Sequence, residues 1–209
     1  MTPAQIKAWS NAAVKGDAEA QFYLGNMYAD GDGMRKNPRE AVKWYRKAAK
    51  QNYADAQYNL GKMYDTGIGV TKNSAEAVKW YRKAAAQGHL SAHYNLGVSY
   101  AEGEGVQQNT DQAIKWYRKA ATRGHVNAQY NLAIAYTERP EKEKNSIQAI
   151  HWFRNAAKKG HAKAQNWLGN MYASGKGVAR NIAHARKWYQ RAARQGDSDA
   201  EFNLKKLHW

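Results

Sequence analysis

The sequence predicts an all-α fold: a solenoid of helix–turn–helix repeats with a period of 36 residues. Three observations predict it. A leucine recurs at Leu24, Leu60, Leu96, Leu132, Leu168 and Leu204, and a tryptophan at Trp44, Trp80, Trp116, Trp152 and Trp188, with no insertion or deletion between copies. A fixed period in this range marks a stacked array of one supersecondary unit. Each period holds two runs of helical apolar spacing joined by a glycine-containing link, and a lone two-helix hairpin leaves an apolar face that only a neighbour can bury.

The elements follow in chain order. Thr2-Pro3-Ala4-Gln5 reads as a capping box with proline at the first helical position, so a lone second-type helix opens the chain over 1–16, with Trp9 in the slot of Tyr45. So clean a start predicts little ordered sequence before it. The first helix of each repeat begins near Asp17, Tyr53, His89, His125, His161 and Asp197, and its apolar stripe runs through Ala20, Leu24 and Tyr28. Gly25 and its equivalents permit close helix contact. The link carries Gly31 and Gly33, then Gly67/Gly69, Gly103/Gly105 and Gly175/Gly177. The second helix starts after Asn37, Asn73, Asn109, Asn145 and Asn181, each followed three residues later by Glu, Gln or, at His184, histidine. It carries Ala41, Val42, Tyr45, Ala48 and Ala49 inward and ends at Asn52, Gly88, Gly124, Gly160 and Gly196, residues suited to a left-handed cap.

The expected organisation is one array over 1–209: a half-repeat helix over 1–16, repeats over 17–52, 53–88, 89–124, 125–160 and 161–196, and a half-repeat helix over 197–209. Repeat four departs from the pattern. It reads Arg139-Pro140-Glu141-Lys142-Glu143-Lys144 where the others have the glycine link, and Ala133 replaces the equivalent of Gly25. The unchanged length predicts a link spanning the same gap. As a variable loop, it is either drift or a contact site.

Composition excludes several classes. There is no cysteine, hence no disulfide and no thiolate metal site. No apolar run is long enough for a membrane-spanning helix, and 1–15 lacks an apolar signal core. A cytoplasmic protein is expected if Met1 is the native start, and a periplasmic or secreted one if a leader has been removed. The histidines His89, His125 and His161 recur once per repeat, but stacked helices lie about 10 Å apart and zinc needs ligands at about 2 Å. They are read as helix-start residues. His89 and His93 share a helix face, yet no third ligand accompanies them, and Glu102/Glu104 are read as solvated. No nucleophile elbow, phosphate loop or dinucleotide fingerprint is present. The sequence therefore predicts no enzyme, no cofactor, no metal and no small-molecule substrate.

The residues Ala54-Asp55-Ala56-Gln57-Tyr58-Asn59-Leu60-Gly61-Lys62-Met63-Tyr64, the link Gly67-Ile68-Gly69-Val70 and the run Ala77-Val78-Lys79-Trp80-Tyr81-Arg82-Lys83-Ala84-Ala85 resemble the Sel1-like repeat family, a relative of the tetratricopeptide repeats. The resemblance covers almost the whole chain. It implies a right-handed α/α superhelix and an adaptor or scaffold role, in bacterial envelope, secretion, signalling or host-interaction settings or as an immunity protein against a toxin. A disulfide-rich branch linked to β-lactam and cell-wall chemistry fits poorly, because this chain has no cysteine.

The net charge is +16. The five second-helix segments carry +3, +2, +4, +3 and +4, whereas the first-helix segments carry −3, −1, −1, −1 and +1. By the family analogy the second helices lie on the convex side. Their basic stripe (including Lys43, Arg46, Lys47, Lys79, Arg82, Lys83 and Arg118) is either a solvated face or a ribbon for nucleic acid or anionic lipid. The same analogy turns Glu19, Phe22, Asn26 and Asp30 into a concave groove, followed by Asp55, Tyr58, Lys62 and Asp65, then Tyr94 and Glu102, Tyr130 and Glu138, and Asn166 and Asn170. Tyrosine with scattered charge suits a protein-binding surface. The expected partner is another protein or peptide, with its basic part toward the N-terminal repeats; the alternative is that these tyrosines pack between repeats.

Overall fold

The computed structural model describes residues 2–139 and 142–207, without the side chains of 142–144. The described residues form α1 (Pro3–Val14), α2 (Ala18–Asp30), α3 (Pro38–Lys50), α4 (Ala54–Thr66), α5 (Ser74–Ala86), α6 (Leu90–Glu102), α7 (Thr110–Thr122), α8 (Val126–Thr137), α9 (Lys142–Lys158), α10 (Ala162–Ser174), α11 (Ile182–Ala193) and α12 (Ser198–Lys206). No strand occurs among them. This is the all-α helix–turn–helix solenoid read from the sequence. Two compact units divide the chain, Met1–Ala113 and Ile114–Trp209.

The caps explain the boundaries. Thr2 and Gln5 form the full reciprocal box at α1. Asn37, Asn73, Asn109 and Asn181 each accept a backbone N–H three residues on, at 3.3, 3.0, 2.9 and 2.9 Å, so the asparagine supplies the first acceptor of the second helix. The chain then leaves each second helix through a positive φ at Asn52, Gly88, Gly124, Gly160 or Gly196.

Repeat four differs from the expected pattern. Asn145 is not a cap: α9 starts at Lys142, and Asn145 is buried inside it. The other repeats stop the first helix at a left-handed glycine and use the next residues as a link. Repeat four lacks the glycine pair, and Glu143 and Lys144 are good helix formers, so the helix extends backward over the link. Of the Arg139–Lys144 segment, Pro140 and Glu141 lie outside the described residues.

Within each unit the core is a ladder of small and aromatic residues. Leu60, Leu96, Leu132 and Leu168 are fully buried, as are the paired alanines Ala48/Ala49 and Ala156/Ala157. Gly61 shows why the first helix carries glycine: a Cβ there would stand 2.7 Å from the Tyr81 ring. Gly69, at φ 74°, would place a Cβ 2.3 Å from the Pro38 carbonyl, and Gly105 one 2.2 Å from the Ser74 carbonyl, so these two links rest on the start of the preceding second helix.

A second, polar ladder runs through this core. The amides of Gln21, Gln57, Gln129 and Gln165 are buried and donate to the carbonyls of Ala13, Ala49, Ala121 and Ala157 at 3.0–3.1 Å. These carbonyls belong to the last turn of a second helix; each accepts one backbone N–H, from Gly16, Asn52, Gly124 or Gly160, and the glutamine supplies a second donor. The glutamine oxygens are met in turn: Gln51 donates to Gln21 at 2.9 Å, Gln87 to Gln57 at 2.8 Å and Gln195 to Gln165 at 2.8 Å.

Candidate protein-interaction surface

The first helices carry the expected surface residues. In the first unit Glu19, Asp30, Asp55, Lys62 and Glu102 are exposed, and Phe22, Asn26, Tyr58, Asp65 and Tyr94 are half-buried. In the second unit Glu138 is exposed and Tyr130 and Asn170 are half-buried. Asn166 departs from the expectation: it is 7 % exposed and accepts the Asn203 amide at 3.0 Å, so it braces two helices. Phe202, at the same slot as Phe22, is open to solvent with the Lys206 ammonium 4.4 Å from its ring centroid.

Much of this surface is tied to the repeat that follows. Tyr58 stacks on His89 at 4.4 Å, Tyr130 on His161 at 4.5 Å, and Phe22 packs on Tyr53 at 5.1 Å. Those partners stand at the N-cap positions of α6, α10 and α4. The Nδ1 atoms of His89, His125 and His161 accept the N–H groups of Ala92, Ala128 and Ala164 at 3.2, 3.2 and 3.1 Å. The recurring histidines are therefore helix-start residues, as their spacing suggested. Burial lowers the pKa of His125 and His161, which keeps Nδ1 available as an acceptor. The tyrosines thus take part in stacking between repeats and still present an edge at the surface.

Polar groups beneath the surface are linked. Tyr45 donates to Asn26 at 2.7 Å, and Asn59 donates to the same oxygen at 3.3 Å. Burial pushes the Tyr45 hydroxyl up to about 12, so it stays a donor. Tyr81 donates to Asp65 at 3.2 Å, and burial together with the Asp65 charge raises its pKa. A cavity of about 400 Å³ opens between α2 and α4, lined among others by Asn26, Asp30, Lys36, Asn59, Lys62 and Ile68. It combines an exposed aliphatic chain, amides and both signs of charge, the means to hold a peptide.

The basic stripe is differently employed. Arg46, Arg82 and Arg154 donate to Tyr64, Tyr100 and Tyr172 of the following first helix at 2.9, 2.8 and 3.2 Å, and Arg118 does the same to Tyr136. Lys47, Lys83, Lys119 and Arg191 lie over Trp44, Trp80, Trp116 and Trp188 at 3.9–4.6 Å. Lys43 and Lys79 pair with Glu40 and Glu76. The arginines clasp consecutive repeats, and the aromatic faces a nucleic acid would stack on are already covered. Sequence reasoning missed this clasp and the buried glutamines, because each partner lies 8 to 30 residues away.

Stacked helix–turn–helix repeats that bury their own polar groups define a helical-repeat fold of the kind that generally serves as a protein–protein interaction scaffold. The chain belongs to the Sel1 repeat family, whose model matches residues 18–53, 54–89, 90–125, 126–161 and 162–197. It is similar to a protective antigen present in uropathogenic Escherichia coli strains, with 37 % identity and a TM-score of 0.92 over 95 % of this chain. The chain spans only 43 % of that protein's length. A Sel1 repeat protein from Oxalobacter formigenes is 36 % identical, with a TM-score of 0.82, over 100 % of this chain and 80 % of its own. An immunity protein from Pseudomonas aeruginosa shares the fold at 21 % identity, with a TM-score of 0.52, over 93 % of this chain and 74 % of its own. No curated protein sequence matches.

Proposed function

We propose that this chain is a scaffold that binds a partner protein along the exposed faces of its first helices. The observation that carries the reading is the cavity between α2 and α4, where Asp30, Lys62 and Ile68 stand open beside hydrogen-bonded Asn26 and Asn59. The polar floor is fixed by Tyr45, so it needs no rearrangement to receive a ligand. In the first unit the first helices bear Glu19, Asp30, Asp55 and Asp65 against Lys62, which favours a partner segment with basic residues there. The second helices are a weaker candidate, because their arginines and tryptophans are engaged within the fold.

The setting we infer is a bacterial envelope or secretion assembly, or toxin immunity; the Pseudomonas neighbour that shares the fold carries the immunity name. Affinity capture with the wild type and with Asp30→Lys/Lys62→Glu, read by mass spectrometry, tests the binding face. Both positions are exposed, so the double variant retains its fold. One discrete protein held by the wild type and lost by the variant supports the reading. Identical capture by both contradicts it.

A further inference from the structure

Two columns of the repeat break in the second unit, and the breaks meet. Tyr45, Tyr81, Tyr117 and Tyr189 share a slot in which repeat four has Phe153. Asn59, Asn95, Asn131 and Asn203 share a slot in which repeat one has Tyr23, packed on Trp9 at 4.7 Å, and repeat five has Trp167. Phe153 and Trp167 stack face to face, 5.6 Å between centroids and 3° between planes. Phe153 is completely buried, and Trp167 is 38 % exposed.

The double replacement is chemically consistent. Elsewhere in this unit the slots are polar: Tyr189 donates to Asn170 at 2.7 Å and Asn203 to the same oxygen at 3.2 Å. Losing the phenol hydroxyl and the amide together orphans neither group and turns a polar junction into an aromatic one. Trp167 then lines a cavity of about 460 Å³ with Met171, Ala173, Lys176 and Tyr189. Lys176 is the charged group at that cavity, and Lys163 is the one charged residue of α10. The α2–α4 cavity holds a carboxylate as well, Asp30, beside Lys36 and Lys62.

An exposed indole held by stacking on a buried ring beside a cavity has the form of an interface anchor. Building on the protein-binding reading, we propose that this cavity takes a large apolar side chain of the partner protein, with an adjacent acidic side chain meeting Lys176. The positive local charge selects the acidic neighbour and disfavours a cationic occupant.

Selection of a random phage-displayed peptide library on the full chain tests this. Enriched peptides are expected to pair Phe, Leu, Ile or Met with Asp or Glu. Synthetic copies should lose about thirtyfold or more in affinity for Phe153→Tyr/Trp167→Asn, the scale of a hot-spot residue. That double change installs the tyrosine–asparagine pair found at Tyr45/Asn59, Tyr81/Asn95, Tyr117/Asn131 and Tyr189/Asn203 and should keep the helical circular dichroism signal. Trp167→Ala serves as a second variant should the pair destabilise the fold. Lys176→Glu should weaken acidic peptides but not their Gln counterparts. Peptides that bind wild type and both Trp167 variants alike overturn the anchor. If those peptides still require Asp30 and Lys62, the protein-binding reading survives; if they require neither, it falls too. A selection that enriches nothing, or only basic peptides, also overturns the anchor.

Discussion

The imidazole of His161 lies flat on the Tyr130 ring, 21° between planes, while its Nδ1 accepts the Ala164 N–H in the first turn of α10. One side chain therefore caps a helix and joins two repeats. Both tasks favour the neutral ring, since protonation turns the Nδ1 acceptor into a donor.

A pH dependence follows. Burial lowers the folded-state pKa of His125 and His161 below the ordinary value of 6.5. The unfolded chain then takes up protons first as pH falls, so this stability is complete above about pH 6.5 and is lost below it, down through the folded-state pKa. Thermal denaturation should show a falling Tm over that window. His125→Asp/His161→Asp, which installs the cap used at Asp17 and Asp197, should show a smaller fall.

The glutamine ladder predicts both a loss and a gain. Gln57→Ala removes the side-chain donor to the Ala49 carbonyl and the acceptor of the Gln87 amide and should cost about 1–3 kcal/mol in chemical denaturation. In repeat four the ladder is incomplete. The Gln129 oxygen is buried with no hydrogen bond, because Lys159, in the slot of Gln51, reaches the Gly124 carbonyl instead. Gln51 donates both to Gly16 and to Gln21. Lys159→Gln should therefore keep the carbonyl bond, satisfy Gln129 and stabilise the chain by about 1 kcal/mol.

The clasp separates two kinds of basic residue. Arg82→Ala removes the bond to Tyr100 and should cost about 1 kcal/mol. Lys79→Ala removes an exposed pair with Glu76 and should change stability by less than about 0.5 kcal/mol. Equal effects in urea titrations would contradict the division of labour assigned here.

Gly61→Ala tests the close approach of first and second helices. The new Cβ would press on the Tyr81 ring, and overpacking of this kind should cost about 1–3 kcal/mol in the same titrations.

Helix boundaries were legible in the sequence because they are set locally: Asn37 and Asn73 cap within three residues, and Gly67 terminates α4 with its own φ. Asn145 misled for the same reason. A capping residue caps only if something stops the helix behind it, and repeat four has lost that glycine. Asn166 and Gln57 were illegible because a polar residue on a helix reads as exposed until its distant partner is placed. The basic stripe read as solvated because each clasping tyrosine lies 18 residues further on. The Phe153–Trp167 pair was visible as two breaks in repeating columns, but only their contact shows that they are one change.

The claim that the first helices carry the partner is tested most directly by photo-crosslinking. A photoreactive amino acid is placed at Lys62 on a first helix or at Lys79 on a second helix, both exposed, and the captured partner is followed by mass spectrometry. The account predicts a crosslink to the partner from position 62 and none from position 79. A crosslink from 79 alone would contradict it and place the partner on the basic face.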